Sequence, residues 1–179
     1  MIIQFTGMSG SGKTTLAQIA KQALLKHNIL VEVIDGDEYR KVLCSDLGFS
    51  RQDRNQNIRR LAFVAYKLSQ CGIITIICAI NPYEEIRKEI GEIYPNVKTV
   101  FVDCDLPVLI ERDTKGLYKK ALLPQGHPEK INNLTGVNDP YEAPINADLH
   151  IQTGLEPVDA SAKKLVEFVL HNITKAPLV

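Results

Sequence analysis

Apolar residues along this chain fall into two rhythms. Short, nearly unbroken runs recur at Ile2 to Phe5, Leu30 to Ile34, Ile73 to Ile80, Val97 to Val102 and Leu149 to Gln152, as expected for strands covered on both faces. Between them the spacing turns helical. Thr14 to His27 follows the first strand. Asp53 to Gln70 carries Ile58, Leu61, Ala62, Ala65 and Leu68 at helical spacing, with Arg59, Arg60 and Lys67 elsewhere. Pro157 to Asn172 repeats the pattern with Val158, Ala162, Leu165, Val166, Val169 and Leu170. Successive strands are separated by enough chain for a helical crossover, which predicts an α/β fold around a mainly parallel five-stranded sheet. A chain of this length reads as a single domain, 1–179. The tail Thr174 to Val179 is expected to fray.

One region breaks the rhythm. Asp113 to Pro144 holds a short basic helix, then Leu-Pro-Gln-Gly-His-Pro, then a polar stretch with Asn132, Asn133, Thr135, Gly136, Asn138 and Asp139. Long irregular segments inside compact domains are functional or disordered. Its charged head, from Arg112 to Lys120, suits a lid closing over phosphates, and composition alone also allows a solvated basic loop.

Composition narrows the function classes. With 45% hydrophobic residues the chain can enclose a core, and 21 basic against 21 acidic residues leave no field for gripping nucleic acid. A small soluble substrate is expected. Ile73 to Ile80 is too short to span a bilayer, and the N-terminus enters a strand without a signal-peptide pattern, so the expected location is the cytoplasm. Cys44, Cys71, Cys78 and Cys104 form no C-x-x-C pair and are expected to be reduced and structural, without a metal. His27, His127, His150 and His171 are dispersed, and none is assigned to catalysis.

The sharpest motif is Gly-Met-Ser-Gly-Ser-Gly-Lys-Thr at Gly7 to Thr14, a complete G-x-x-x-x-G-K-[ST] phosphate loop between the first strand and the first helix. Glycines let the backbone curl so that successive N–H groups point at phosphate oxygens, and the following helix adds its positive end. The chain is therefore expected to bind ATP through Gly7, Ser9, Gly10, Ser11, Gly12, Lys13, Thr14 and Thr15. Lys13 would bridge the β- and γ-phosphates, and Thr14 would offer its hydroxyl to Mg²⁺.

In open α/β sheets ligands bind beyond the carboxyl ends of the strands. There the second strand leads into Asp35-Gly36-Asp37 and Arg40, the third into Asn81-Pro82, and the fourth into Asp103 and Asp105. Asp37 with Arg40 fits a carboxylate that takes a hydroxyl proton or organises metal, next to a cation that neutralises moving charge. It equally fits a cap for a helix starting near Glu38. Asp103 and Asp105 read as a strand end and a cap ahead of a helix near Leu106-Pro107. Arg54 and Asn57 share one helix face; an arginine fork matches an anion, and Phe49 is either a stacking platform for a base or a core residue.

Taken together, Phe5 to Thr14, Asp35-Gly36-Asp37 with Arg40, Leu47-Gly48-Phe49 with Asp53-Arg54 and Asn57 to Arg60, Arg112-Asp113 with Lys115 to Tyr118, and Thr135-Gly136 with Pro140 to Pro144 resemble the adenylyl-sulfate kinase family. The resemblance runs in order from residue 2 to about residue 153. It implies a three-layer α/β/α P-loop kinase fold with a lid over about 112–144, commonly a homodimer. The implied reaction moves the ATP γ-phosphoryl to the ribose 3′-OH of a 5′-activated nucleotide, as in adenylyl sulfate. Asp37 would be base or metal-organising acid beside catalytic Lys13. Asp35, Arg40, Phe49, Arg54, Asn57, Lys115 and Leu134 would hold the acceptor, and Arg112 would belong to the ATP-side lid.

Departures from the family pattern cluster on the acceptor side. Asn81 replaces a serine that many bacterial members carry as a proposed phosphorylated intermediate, and Leu134 replaces a common Phe. Extra residues stand around Pro124 to Pro128. Ala79 stands where Phe is common, Glu84 where a basic residue is common, and Glu38-Tyr39 where Asn and an aliphatic residue are usual. These changes admit an alternative acceptor, cytidine 5′-diphosphoramidate of capsule phosphoramidate synthesis. More distant alternatives are a shikimate- or gluconate-type kinase and a non-catalytic ATP-binding module.

Overall fold

A computed structural model describes residues 1–174, so beyond Thr174 the expected frayed tail lies outside the described residues. Five strands, β1 (Ile2–Thr6), β2 (Val31–Asp35), β3 (Ile74–Cys78), β4 (Val97–Asp103) and β5 (Leu149–Gln152), form one sheet in the order β2-β3-β1-β4-β5. Every pairing is parallel, and Ile3 of central β1 sits opposite Ile76 on one side and Lys98 on the other.

Alternation along the strands feeds two cores. Ile3, Phe5, Ile76, Val100 and Val102 pack against Leu16, Ala17 and Ala20 of α1 (Lys13–Leu25) and Ala162, Leu165 and Val169 of α7 (Val158–Thr174). Ile2, Ile34 and Ile77 face the other way, onto Ile58, Leu61, Ala62 and Ala65 of α3 (Arg51–Gln70) and Ile86 and Ile90 of α4 (Glu84–Ile93). Helices thus cover both faces of the sheet, the three-layer α/β/α arrangement expected. Sequence periodicity left the β3–β4 crossover without bounds, and α4 occupies it.

A third, smaller cluster joins Cys104, Leu109 of α5 (Leu106–Arg112), Tyr118 and Ala121 of α6 (Leu117–Ala121) and Leu134. It anchors the irregular 112–144 segment above the carboxyl end of β1. The strand edges correct the sequence expectations slightly. β3 stops at Cys78 rather than Ile80, and β2 runs on to Asp35. Asp105 stands at the N-cap of α5 with no side-chain capping bond, and Pro107 occupies the first turn.

Candidate active site

Residues 7–14 leave β1 and turn into α1 at the point where the strand order diverges to both sides, the usual ligand position of such sheets. Gly7 must be glycine: a Cβ there would fall 2.3 Å from the Val102 carbonyl oxygen. Its N–H donates to the Ile80 carbonyl at 3.1 Å, tying the loop to the end of β3. Lys13 is buried and folded back on its own loop, donating to the Gly7 carbonyl at 2.8 Å, the Met8 carbonyl at 2.7 Å and Ser11 Oγ at 3.3 Å. Burial pushes its pKa down to about 8; Lys115 adds to the fall, while Cys78, Asp37 and Asp35 oppose it.

Two aspartates leave β2 with different tasks. Asp35 caps α2 (Gly36–Val42), one carboxylate oxygen accepting from the Asp37 N–H at 2.9 Å. Its other oxygen accepts from Thr14 Oγ1 at 2.8 Å. The helix-cap alternative for Asp37 is thereby corrected, because α2 begins at Gly36, two residues earlier than the sequence suggests. Asp35, expected among the acceptor-binding residues, is bonded to the threonine of the phosphate loop. Asp37 is left exposed, its carboxylate accepting from Lys115 Nζ of the α5–α6 connection.

These groups open into one cavity of about 670 Å³. Ser9, Gly10, Gly12, Lys13, Thr14 and Thr15 form one side, with Asp35 and Asp37 next to them. Phe49 and Arg54 line it from α3 and the loop before it, and Lys115 and Leu134 from the 112–144 segment. Phe49 is 52% exposed and is no core residue. The Arg40 guanidinium lies 4.7 Å from its ring centroid and that of Arg54 5.6 Å, so two cations orient the ring. Arg54 is buried, donating through Nε to the Phe49 carbonyl at 3.0 Å and through Nη2 to the Asn133 carbonyl at 2.6 Å.

Several expected site residues stand behind the lining. Arg40 donates to the Gly48 carbonyl at 2.9 Å. Asn57 is buried with its Oδ1 lacking a hydrogen-bond partner. Arg112 donates to the Thr153 carbonyl at 3.0 Å, and Thr153 Oγ1 in turn donates to the Ser11 carbonyl at 2.8 Å. Gly7 and Ser11 shape the phosphate loop without lining the cavity.

Other contributors were given no site role from the sequence, although Tyr118 and Thr135 fall within the family-like blocks. Thr135 is fully buried in the cavity wall with an unpartnered Oγ1, and the Tyr118 hydroxyl donates to the Ser9 carbonyl at 2.8 Å. Burial pushes the Tyr118 phenol up to about 12, so it remains a donor. Thr153 was within reach of the rule about strand carboxyl ends, since it directly follows β5. Thr135 and Tyr118 sit in a stretch without periodicity. Asn81 is 1% exposed and donates to Gln4 Oε1 at 3.2 Å, away from the lining. The exposed residues around Pro124 to Pro128 are not part of the lining either. All four cysteines are free; Cys44, Cys78 and Cys104 are buried, whereas Cys71 is exposed and serves no core. Burial pushes the Cys78 thiol up to about 12. Among the described residues no cluster of metal-ligating side chains stands out.

The family model described as adenylylsulphate kinase matches residues 1–152. The chain belongs to the adenylyl-sulfate kinase family. It is 45% identical over 166 residues to the adenylyl-sulfate kinase of Deinococcus deserti, covering 93% of this chain and 89% of that one. To the adenylyl-sulfate kinase of Chloroflexus aurantiacus it is 46% identical over 155 residues, covering 87% and 81%. Among solved structures it superposes on the Mycobacterium tuberculosis APS kinase in complex with AMPPNP and APS with a TM-score of 0.87 at 36% identity, covering 94% of this chain and 96% of that one. A shikimate kinase from Aquifex aeolicus shares the fold alone, with a TM-score of 0.53 at 17% identity. As a member of the adenylyl-sulfate kinase family the protein is a kinase, a phosphotransferase with an alcohol acceptor. Among the described residues no helix is long and apolar enough to cross a membrane.

Proposed function

We propose that this protein transfers the γ-phosphoryl group of ATP to the ribose 3′-OH of adenylyl sulfate, releasing ADP and 3′-phosphoadenylyl sulfate. The observation that carries this is the joining, in one cavity, of a complete phosphate loop with Asp37, Phe49, Arg54 and Lys115. A relative of the same fold has been solved with a nucleotide triphosphate analogue and APS together.

On this reading the N–H groups of residues 9–15 hold the ATP phosphates, and Lys13 exchanges its loop carbonyls for phosphate oxygens. Thr14 Oγ1 and the Asp35 carboxylate, already 2.8 Å apart, are hard oxygen donors suited to Mg²⁺. When bound, the ion would neutralise charge on the phosphates. Asp37 takes the proton of the attacking 3′-hydroxyl. Lys115, on a flexible exposed stem, turns from Asp37 toward the anionic end of the acceptor. Phe49 stacks on the base, while Arg40 and Arg54 brace the ring. Asn57 and Leu134 complete the acceptor side, Arg112 the ATP side, and residues 112–144 act as the lid. The enzyme works in the cytoplasm in sulfate assimilation as a homodimer, the last checked by its sedimentation mass.

The test follows ADP formation and the phosphorylated nucleotide with adenylyl sulfate as acceptor. Rapid transfer is expected, with Asp37→Asn lowering kcat by roughly 10²- to 10⁴-fold and leaving ATP binding close to wild type. Absence of transfer to adenylyl sulfate, with turnover on cytidine 5′-diphosphoramidate, shikimate or gluconate instead, overturns the proposal.

A further inference from the structure

We infer that Arg87, outside the cavity on α4, is a positioning residue that sets the acceptor-side wall against the phosphate loop. Arg87 is 3% exposed, and an arginine buried without partners is strongly destabilising. Here each of its N–H groups has an acceptor. Nε donates to Glu84 Oε2 at 3.1 Å, and Nη2 donates to the same oxygen at 2.6 Å and to the Glu142 carbonyl at 2.6 Å. Nη1 donates to the Asn81 carbonyl at 2.7 Å and to Thr6 Oγ1 at 3.4 Å. A buried guanidinium whose N–H groups all have acceptors is held stiffly.

What it joins decides its role. Thr6 is the last residue of β1 and directly precedes the phosphate loop. Asn81 follows Ala79 and Ile80, which line the cavity. Glu142 closes the segment that contributes Asn133, Leu134 and Thr135 to the wall. A second bond runs parallel to the first. Thr6 Oγ1 spends its proton on the Asn81 carbonyl at 3.0 Å, so the Tyr141 hydroxyl at 2.8 Å donates to Thr6. Glu142 adds its N–H to the Pro82 carbonyl and its carboxylate to the Glu84 N–H, at 2.8 and 2.7 Å.

The two sides depend on this junction unequally. The phosphate loop is also held by β1, paired on both sides, and by Tyr118 on Ser9. The wall segment is irregular and pairs with no strand of the sheet; besides Leu134 in the third hydrophobic cluster it is tied by single side chains, Arg54 on Asn133 and Asp139 and Tyr83 on Asp139. Releasing Arg87 therefore loosens the wall before it loosens the loop. Phosphoryl transfer amplifies such a shift, since a displacement of about 1 Å can cost on the order of a hundredfold in rate.

This inference rests on the proposed use of the cavity by ATP and a nucleotide acceptor. Its test measures KM for adenylyl sulfate, KM for ATP, kcat, and binding of ATP alone by calorimetry, in wild type, Arg87→Met and Arg87→Lys. Arg59→Ala, which removes a bidentate pair with Glu89 on the α3–α4 surface, serves as a control for lost stability alone. Arg87→Met should raise the acceptor KM about tenfold or more and lower kcat, with ATP binding within about twofold of wild type. Arg87→Lys, which keeps the charge without the fork, should fall between them, and Arg59→Ala should leave both KM values unchanged. If Arg87→Met does not fold, Arg87→Lys carries the test. If neither folds, Tyr141→Phe carries it, with a severalfold rise in acceptor KM expected. Acceptor kinetics within twofold of wild type, or a rise in ATP KM as large as that for the acceptor, overturns the inference. Wild-type protein that transfers nothing to adenylyl sulfate overturns the proposed function instead.

Discussion

Gly136 rests on Met8 so closely that a Cβ at residue 136 would fall 2.3 Å from the methionine sulfur. Met8 belongs to the phosphate loop and Gly136 to the turn that follows Leu134 and Thr135, so a side chain at 136 would have to displace the Met8 thioether between the loop and that turn. Gly136 also has φ +87°, a left-handed conformation that an L side chain resists by about 1–2 kcal/mol. Gly136→Ala should therefore lower Tm and raise the acceptor KM. Adding Met8→Ala should recover part of the KM and none of the backbone strain. A Gly136→Ala protein with wild-type Tm and KM would show that the turn is not held this way.

Lys13 predicts a proton signature. Its pKa is about 8 in the folded protein against an ordinary 10.5, so the folded chain carries fewer protons than the unfolded one between those values. The penalty for burying the ammonium is complete below pH 8, and stability from this group rises as pH climbs from 8 toward 10.5. Phosphate oxygens would restore the charge, so ATP binding at about pH 9 should take up close to one proton. Calorimetry in buffers of different ionisation enthalpy reads that number directly. Lys13→Met should abolish it, and zero uptake by wild type would contradict the buried, folded-back lysine.

The sheet was legible because strands buried on both faces must be apolar throughout, and the phosphate loop because its chemistry fixes residue types at fixed spacing. Asp35 and Asp37 were harder. Both flank Gly36, and which one caps the helix depends on where α2 starts, a choice settled by the bond between Asp35 and the N–H of Asp37. Arg87 looks like any surface arginine on an amphipathic helix. It is buried only because the Asn81 and Glu142 carbonyls, one of them 55 residues away, converge on it. Tyr118 and Thr135 acquire their places through contacts with the phosphate loop and the cavity, which no local periodicity encodes.

Asn81 makes the route of transfer testable. Its side chain points at Gln4, it is 1% exposed, and it is not part of the cavity lining. An amide offers no hydroxyl to carry a phosphoryl group, and in-line transfer between two bound substrates needs only position and charge neutralisation. Incubation with γ-labelled ATP should leave the protein unlabelled after denaturation. Stoichiometric label on the chain would refute direct transfer.

Leu134 bears on how the acceptor base is held. It is 6% exposed, lines the cavity, and is backed by Leu109, Tyr118 and Ala121. Those neighbours leave a larger side chain room to grow only into the cavity, where Phe49 already presents a ring. The extra residues around Pro124 to Pro128 are exposed and do not line the cavity, so they supply no second platform. A base-to-aromatic stack contributes roughly 1–3 kcal/mol. Leu134→Phe should accordingly tighten adenylyl sulfate binding by about tenfold, against an overpacking cost of about 1–3 kcal/mol in stability. Phe49→Ala should weaken binding by at least a similar factor, because no other ring lines the cavity among the described residues. Dissociation constants for adenylyl sulfate in the presence of a non-hydrolysable ATP analogue, measured for wild type and both variants, decide the matter. Unchanged or weaker binding by a folded Leu134→Phe protein would mean that the base does not lie between these two positions.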